Sequence, residues 1–131
     1  MTGRPETAAA PRTGFLRRLL GPRVARVTPA EAAALSGAGA LLLDVREPAE
    51  WRAGHAPGAR HIPLGQLAGR LSEVPADRPV TVCRSGARSR RAAKLLAAAG
   101  HEVHDLTGGM RAWTNAGLAV RAKGGRPGHV A

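Results

Sequence analysis

Short apolar runs alternating with segments of helical spacing are the feature that most limits what this chain can fold into. Val24–Val27 reads as a strand, and Thr28-Pro29-Ala30-Glu31 as a capping box with proline at the first helical position. The helix it opens is expected to reach about Leu35, with Gly37 and Gly39 ending it. Residues 41–45, Leu-Leu-Leu-Asp-Val, form the kind of largely apolar run found in strands buried on both faces. One or two helical turns over 48–53, closed by Gly54, and a brief strand over 59–62 follow. Residues 64–71 carry apolar side chains at helical spacing. Residues 80–83 form the next strand. The helix after it has Ala92, Leu95, Leu96 and Ala99 as its apolar stripe and Gly100 as terminator. A strand over 102–106 and a helix over 110–116, opened by Gly108-Gly109 and with Trp113 facing inward, complete the order. Such alternation implies an α/β domain with a mostly parallel five-stranded sheet and helices on both faces. Ligands in that architecture bind beyond the carboxyl ends of the strands, where Asp44 and Cys83 both fall.

Cys83 is the only cysteine in the chain, and it stands where the fourth strand runs into the turn Arg84-Ser85-Gly86-Ala87-Arg88-Ser89. A side chain placed there faces unpaired backbone N–H groups and the positive end of a helix dipole. Both stabilise negative charge and would hold an anionic substrate beside the sulfur. The bland alternative is a small buried hydrophobe, the usual role of a free cysteine. The arginines weigh against it. Arg84 and Arg88 lie inside the turn, whereas Arg90, Arg91 and Lys94 read as a solvated basic helix face.

With 131 residues the chain is long enough for one domain that needs no disulfide or structural metal. A single cysteine excludes an intrachain disulfide and every zinc arrangement with two or more thiolates. His55, His61, His101, His104 and His129 show no metal-like helical pairing, so neither a metal nor another cofactor is expected. The net charge of +11 lies mostly in the ends: residues 1–26 carry six arginines against one glutamate, and 119–131 carry three bases and no acid. We therefore expect a basic flexible N-terminal tail over 1–22, a domain over 23–120 and a basic flexible C-terminal tail over 121–131. Such tails could contact a polyanion or a membrane surface. With only Phe15, Trp51 and Trp113 as aromatics, both tryptophans assigned to the core, there is no stacking platform for single-stranded nucleic acid, and no nucleic-acid partner is expected. No stretch approaches the roughly twenty apolar residues of a membrane span. No secretory signal is read either, which together with the unpaired thiol makes a cytoplasmic location the expectation.

Four motifs in order resemble the rhodanese superfamily, specifically its single-domain sulfurtransferases. Leu43-Asp44-Val45-Arg46-Glu47 is similar to the first signature, and Gly54-His55-Ala56-Pro57-Gly58-Ala59, continuing to Ile62-Pro63, to the second. The segment from Cys83 to Ser89 is similar to the active-site loop, and Gly108-Gly109 with Trp113, Ala116, Gly117 and Val120 to the closing segment. The resemblance spans residues 24–120. Ala56 and Ala119 depart from it, standing where isoleucine and proline are common in the family; both lie outside the loop.

The resemblance implies that Cys83, as thiolate, attacks the outer sulfur of thiosulfate or a related donor and carries it as a persulfide to a thiol or cyanide acceptor. It also implies that Arg84, Ser85, Gly86, Ala87, Arg88 and Ser89 form the substrate-binding loop, with Arg84 and Arg88 neutralising the sulfonate. Asp44 and Arg46 are expected to tie loops together by a salt bridge, and His55 to hydrogen-bond structurally rather than act as a base. A phosphatase of related fold is disfavoured. Its loop needs arginine six positions after the cysteine and usually histidine just before it, whereas here Arg88 comes at five, Ser89 at six and Val82 precedes. A sulfur relay with a protein donor or acceptor remains a second reading.

Overall fold

In each β-helix-β unit the helix carries the chain back to the starting end of the sheet, so neighbouring strands run parallel. The computed structural model describes residues 23–75 and 77–131; the expected tail over 1–22 lies outside the described residues. Its elements are β1 (Val24–Val27), α1 (Pro29–Gly37), β2 (Leu42–Asp44), α2 (Pro48–Ala53), β3 (Arg60–His61), α3 (Leu64–Leu67), β4 (Val80–Val82), α4 (Ala87–Ala98), β5 (Val103–Leu106) and α5 (Gly109–Asn115). The five strands form one sheet in the order β1-β5-β4-β2-β3, and every ladder is parallel. Thr28 and Glu31 make the reciprocal hydrogen bonds of the capping box at the start of α1.

Strand side chains alternate between two cores. On one face Leu42, Val80, Val82 and Leu106 pack with Ala32, Met110, Trp113 and Val120; on the other, Leu43, Val45, Cys83 and Val103 pack with Ile62, Leu67, Ala92, Ala93 and Leu96. Trp113 is 4% exposed and its indole N–H donates to Ala119 O at 2.9 Å, which satisfies the polar edge of a core aromatic.

Three expectations are corrected. The helix expected over 64–71 is one α turn followed by a 3-10 segment, Ala68–Glu73, with Arg70 out of helical geometry. Gly65 and Gly69 weaken this stretch as a helix, and Arg70 bonds instead to Glu73 and Gln66. Residues 121–131 are not a free tail. Arg121 pairs antiparallel with both His55 and Pro127, His129 N–H donates to Ala53 O at 2.9 Å, and Val130 packs against the first core. Trp51 is only half-buried and stacks on His55, ring centroids 3.5 Å apart, and on His61 at 5.0 Å.

Candidate active site

Cys83 follows directly on β4, and Gly86, with φ 124°, ends the turn that opens α4. Only a residue without Cβ adopts that φ cheaply, and here it accompanies a Gly86 N–H donating to Cys83 Sγ at 3.0 Å. The Cys83 thiol lies 3.5 Å from Ser89 Oγ, whose hydroxyl donates to Gly86 O at 3.1 Å. When the thiol ionises, the Sγ–H donor is lost and the Gly86 N–H remains to hold the sulfur's charge. Cys83 is 1% exposed, Ser89 is fully buried, and Arg84, Ser85 and Ala87 lie on the outside of the turn.

The turn is clamped from the far end of the chain. Met110 N–H donates to Cys83 O at 2.7 Å and Arg111 N–H to Arg84 O at 3.1 Å. Gly109, at φ 59°, sits so close that a Cβ there would lie 2.6 Å from Arg84 C and O and even nearer Cys83 O. Gly109→Ala is therefore expected to displace the loop. It should cost clearly more stability than Gly58→Ala, where φ is 78° but a Cβ meets nothing, and it should reduce any Cys83-dependent activity. Thermal unfolding of the two variants checks this, and equal losses would contradict it.

Arg88 does not stand free. Its Nη1 and Nη2 donate to Glu50 Oε1 and Oε2 at 2.7 and 2.9 Å, a bidentate pair between α4 and α2. Glu50 also accepts the Glu47 N–H. The Arg88 hydrogen bonds hold the Glu50 carboxyl down at about 2, well below its ordinary 4.5. In return Glu50, and to a smaller degree the nearby charge of Cys83, raises Arg88. A carboxyl with a lowered folded pKa contributes stability that is present above its ordinary value and lost as pH falls through the folded one. The stability difference between the native chain and Glu50→Gln should thus be constant above about pH 5 and shrink towards pH 2. Acid titration of thermal unfolding measures it; a difference independent of pH would contradict the assignment.

Asp44 and Arg46 are buried behind the turn, at 1% and 0% exposure. Arg46 Nε and Nη2 donate to the Asp44 carboxylate at 2.9 and 2.7 Å, the Arg46 N–H to Asp44 Oδ1 at 3.0 Å, and Nη2 also to Gly54 O at 2.8 Å. The pair thereby joins the end of β2 to the turn after α2. His55 lies in that turn. Its Nδ1 contacts Trp51 O at 2.8 Å, so a proton sits on Nδ1, and its backbone bridges to Arg121. His61 Nε2 likewise donates to Arg46 O at 2.6 Å.

The structure thus places Gly86 and Ser89 against Cys83, pairs Arg88 with Glu50, and sets Asp44, Arg46 and His55 around the end of β2 and the turn after α2. Glu50 escaped sequence reasoning, because its partner lies 38 positions away. A cleft of 470 Å³ opens at the amino ends of the strands between Leu35, Ala40, Asp77, Arg78 and Glu102, at the end of the sheet opposite Cys83. Among the described residues no group of three or more histidine, cysteine or acidic side chains is arranged to hold a metal ion, and no helix is long and apolar enough to cross a membrane.

A family model described as a rhodanese-like domain matches residues 28–116. The Bacillus subtilis protein YqhL is 45% identical over 86 residues, an alignment covering 64% of this chain and 66% of that protein, just under two thirds of its length. A protein of Allochromatium vinosum named sulfurtransferase is 44% identical over 65% of this chain and 81% of its own. The thiosulfate sulfurtransferase GlpE of Stutzerimonas stutzeri is 36% identical over 67% of this chain and 83% of its own. Among solved structures, a rhodanese-related protein from Thermoplasma volcanium superposes with a TM-score of 0.66 at 26% identity, covering 73% of this chain and 96% of that one.

Proposed function

The chain belongs to the rhodanese-like domain family of sulfurtransferases, and from that premise we propose that it moves a sulfane sulfur from thiosulfate or a persulfide donor to a thiophilic acceptor through a persulfide on Cys83. The Gly86 N–H at 3.0 Å from Cys83 Sγ is the observation that carries this reading, because it puts a preorganised donor on the reacting atom. The thiolate attacks the outer sulfur of the donor; the old S–S bond breaks, and its electron pair leaves with sulfite or a thiolate. The sulfur stays on Cys83 until a thiol or cyanide takes it. The group that faces the attacking sulfur is the Gly86 N–H. Arg84, Ser85, Gly86, Ala87, Arg88 and Ser89 line the path of the donor, while Asp44, Arg46 and His55 keep the turn in place. Thiosulfate is supported as a donor by the name of the Stutzerimonas stutzeri relative. The site of action is the cytoplasm, the compartment in which a lone thiol stays reduced.

Mass spectrometry after incubation with thiosulfate tests the proposal. A gain of one sulfur, located on Cys83 and discharged by cyanide with release of thiocyanate, is the expected result. No gain with thiosulfate or any persulfide would overturn it.

A further inference from the structure

Arg88 lies on the turn that carries the reacting sulfur, and each of its terminal nitrogens donates a hydrogen bond to Glu50. The buried Arg46 is paired with Asp44 through Nε and Nη2, while its Nη1 has no hydrogen-bond partner. In each of these two ion pairs the guanidinium charge is matched by a carboxylate before any substrate arrives. What remains to stabilise an incoming anion is the backbone of the turn, with Gly86 N–H already on Sγ, the exposed Arg84, and Arg90, whose Nη1 stands beside Gly86.

Sulfane donors differ in the charge they bring. Thiosulfate, S–SO₃²⁻, attacked by the Cys83 thiolate puts three negative charges into the site, and yields the Cys83 persulfide anion and sulfite dianion. A persulfide anion, R–S–S⁻, brings two in total and yields the same Cys83 persulfide and R–S⁻. In both, the new bond joins Cys83 Sγ to the outer sulfur, and the bond from that sulfur to the rest of the donor breaks with its electron pair on the leaving group. A thiosulfate sulfonate at Arg88 would meet a guanidinium whose charge Glu50 already matches and only its remaining N–H donors, whereas a persulfide needs no such counterion. The exposed Arg84, Arg90 and Arg111 raise the encounter rate of any anion, with solvent screening them more than it screens the paired Arg88.

We infer that Glu50 is a specificity-determining residue which, by holding and neutralising Arg88, sets the Cys83 site for organic persulfide donors of low charge in preference to the thiosulfate dianion. This rests on the reading of Cys83 as the sulfur-carrying residue. Glu50 acts through Arg88 and touches neither Sγ nor the transferred sulfur, so it is a positioning residue. Glutamine at 50 keeps an acceptor for the Glu47 N–H and for one Arg88 nitrogen while removing the charge.

The experiment is single-turnover loading of Cys83, followed by the mass gain of one sulfur. The donors are thiosulfate and the persulfide of N-acetylcysteine methyl ester, which carries no charge beyond its persulfide group. In the native chain the persulfide should half-saturate at a lower concentration than thiosulfate; the reverse order overturns the inference without any variant. Glu50→Gln should lower the half-saturating thiosulfate concentration about tenfold, the effect of one unit charge on a dianion at an effective dielectric near 20 with further screening at a partly exposed pair. Loading by the persulfide should stay as in the native chain, and Glu50→Asp, which keeps the charge, should retain the native preference. Half-saturation by thiosulfate that is unchanged or raised in Glu50→Gln, or equal loss with both donors, overturns the inference and leaves Glu50 as a support of the turn. Failure of both donors to load the native chain instead removes the persulfide reading itself.

Discussion

Cys83→Ser is expected to abolish sulfur loading: no mass gain with either donor, and transfer to cyanide at the uncatalysed background. Serine keeps the size and the hydrogen bonds of the site, since an oxygen there still accepts from Gly86 N–H and reaches Ser89 Oγ. It cannot supply a thiolate or form an S–S bond, and the chain has no second cysteine to substitute. Because the hydroxyl finds partners in a site that is 1% exposed, the stability cost should stay near 1 kcal/mol. A variant that folds normally and still transfers sulfur at the native rate would show that the chemistry lies elsewhere.

Asp44→Ala should have the largest effect on stability. The carboxylate is the counterion of a guanidinium that is 0% exposed, and Arg46 Nη1 already has no hydrogen-bond partner. Removing Asp44 leaves a buried charge whose remaining hydrogen bond is to the Gly54 carbonyl, a change that typically costs about 3–5 kcal/mol. Against a total of about 5–15 kcal/mol for a domain, that is a fall in Tm on the order of 15–25 °C, or no folded protein at all. The double variant Asp44→Ala with Arg46→Met separates the causes. If the penalty is the uncompensated charge, removing the arginine as well should recover much of the loss. A single variant within about 1 kcal/mol of native, or a double variant no better than the single, would contradict this account.

Both experiments address residues that were visible in the sequence, and the reason is local. Strand and helix periodicity over 24–116 follows from which side chains must alternate or recur to reach a core. All five strands appear within a residue or two of the expected ends. The Cys83 turn is equally local: a strand end, a glycine with positive φ and a helix start fall within seven consecutive residues. Asp44 and Arg46 lie two apart, so their pairing also needs little from the rest of the chain.

Other features depend on which distant segments the sheet brings together. The order β1-β5-β4-β2-β3 sets β4 beside β2, and with them α4 and the segment after β2; that placement brings Arg88 to Glu50 and alters the electrostatics expected of the loop. The same packing lays Gly109 on the Cys83 carbonyl and folds 121–131 back onto His55 and Ala53, where the composition of that segment had suggested a free basic tail. Trp51 shows the limit in one residue: its size argued for the core, but its place on the short helix α2 leaves it half-exposed against two imidazoles. By itself the sequence determined the strand and helix order, the place of Cys83 at the end of a strand and the shape of its turn, because each is encoded within a few neighbouring residues. Only the tertiary structure decided which charges face that cysteine, because ion pairs form between side chains whose proximity is created by the pairing of strands far apart in the chain.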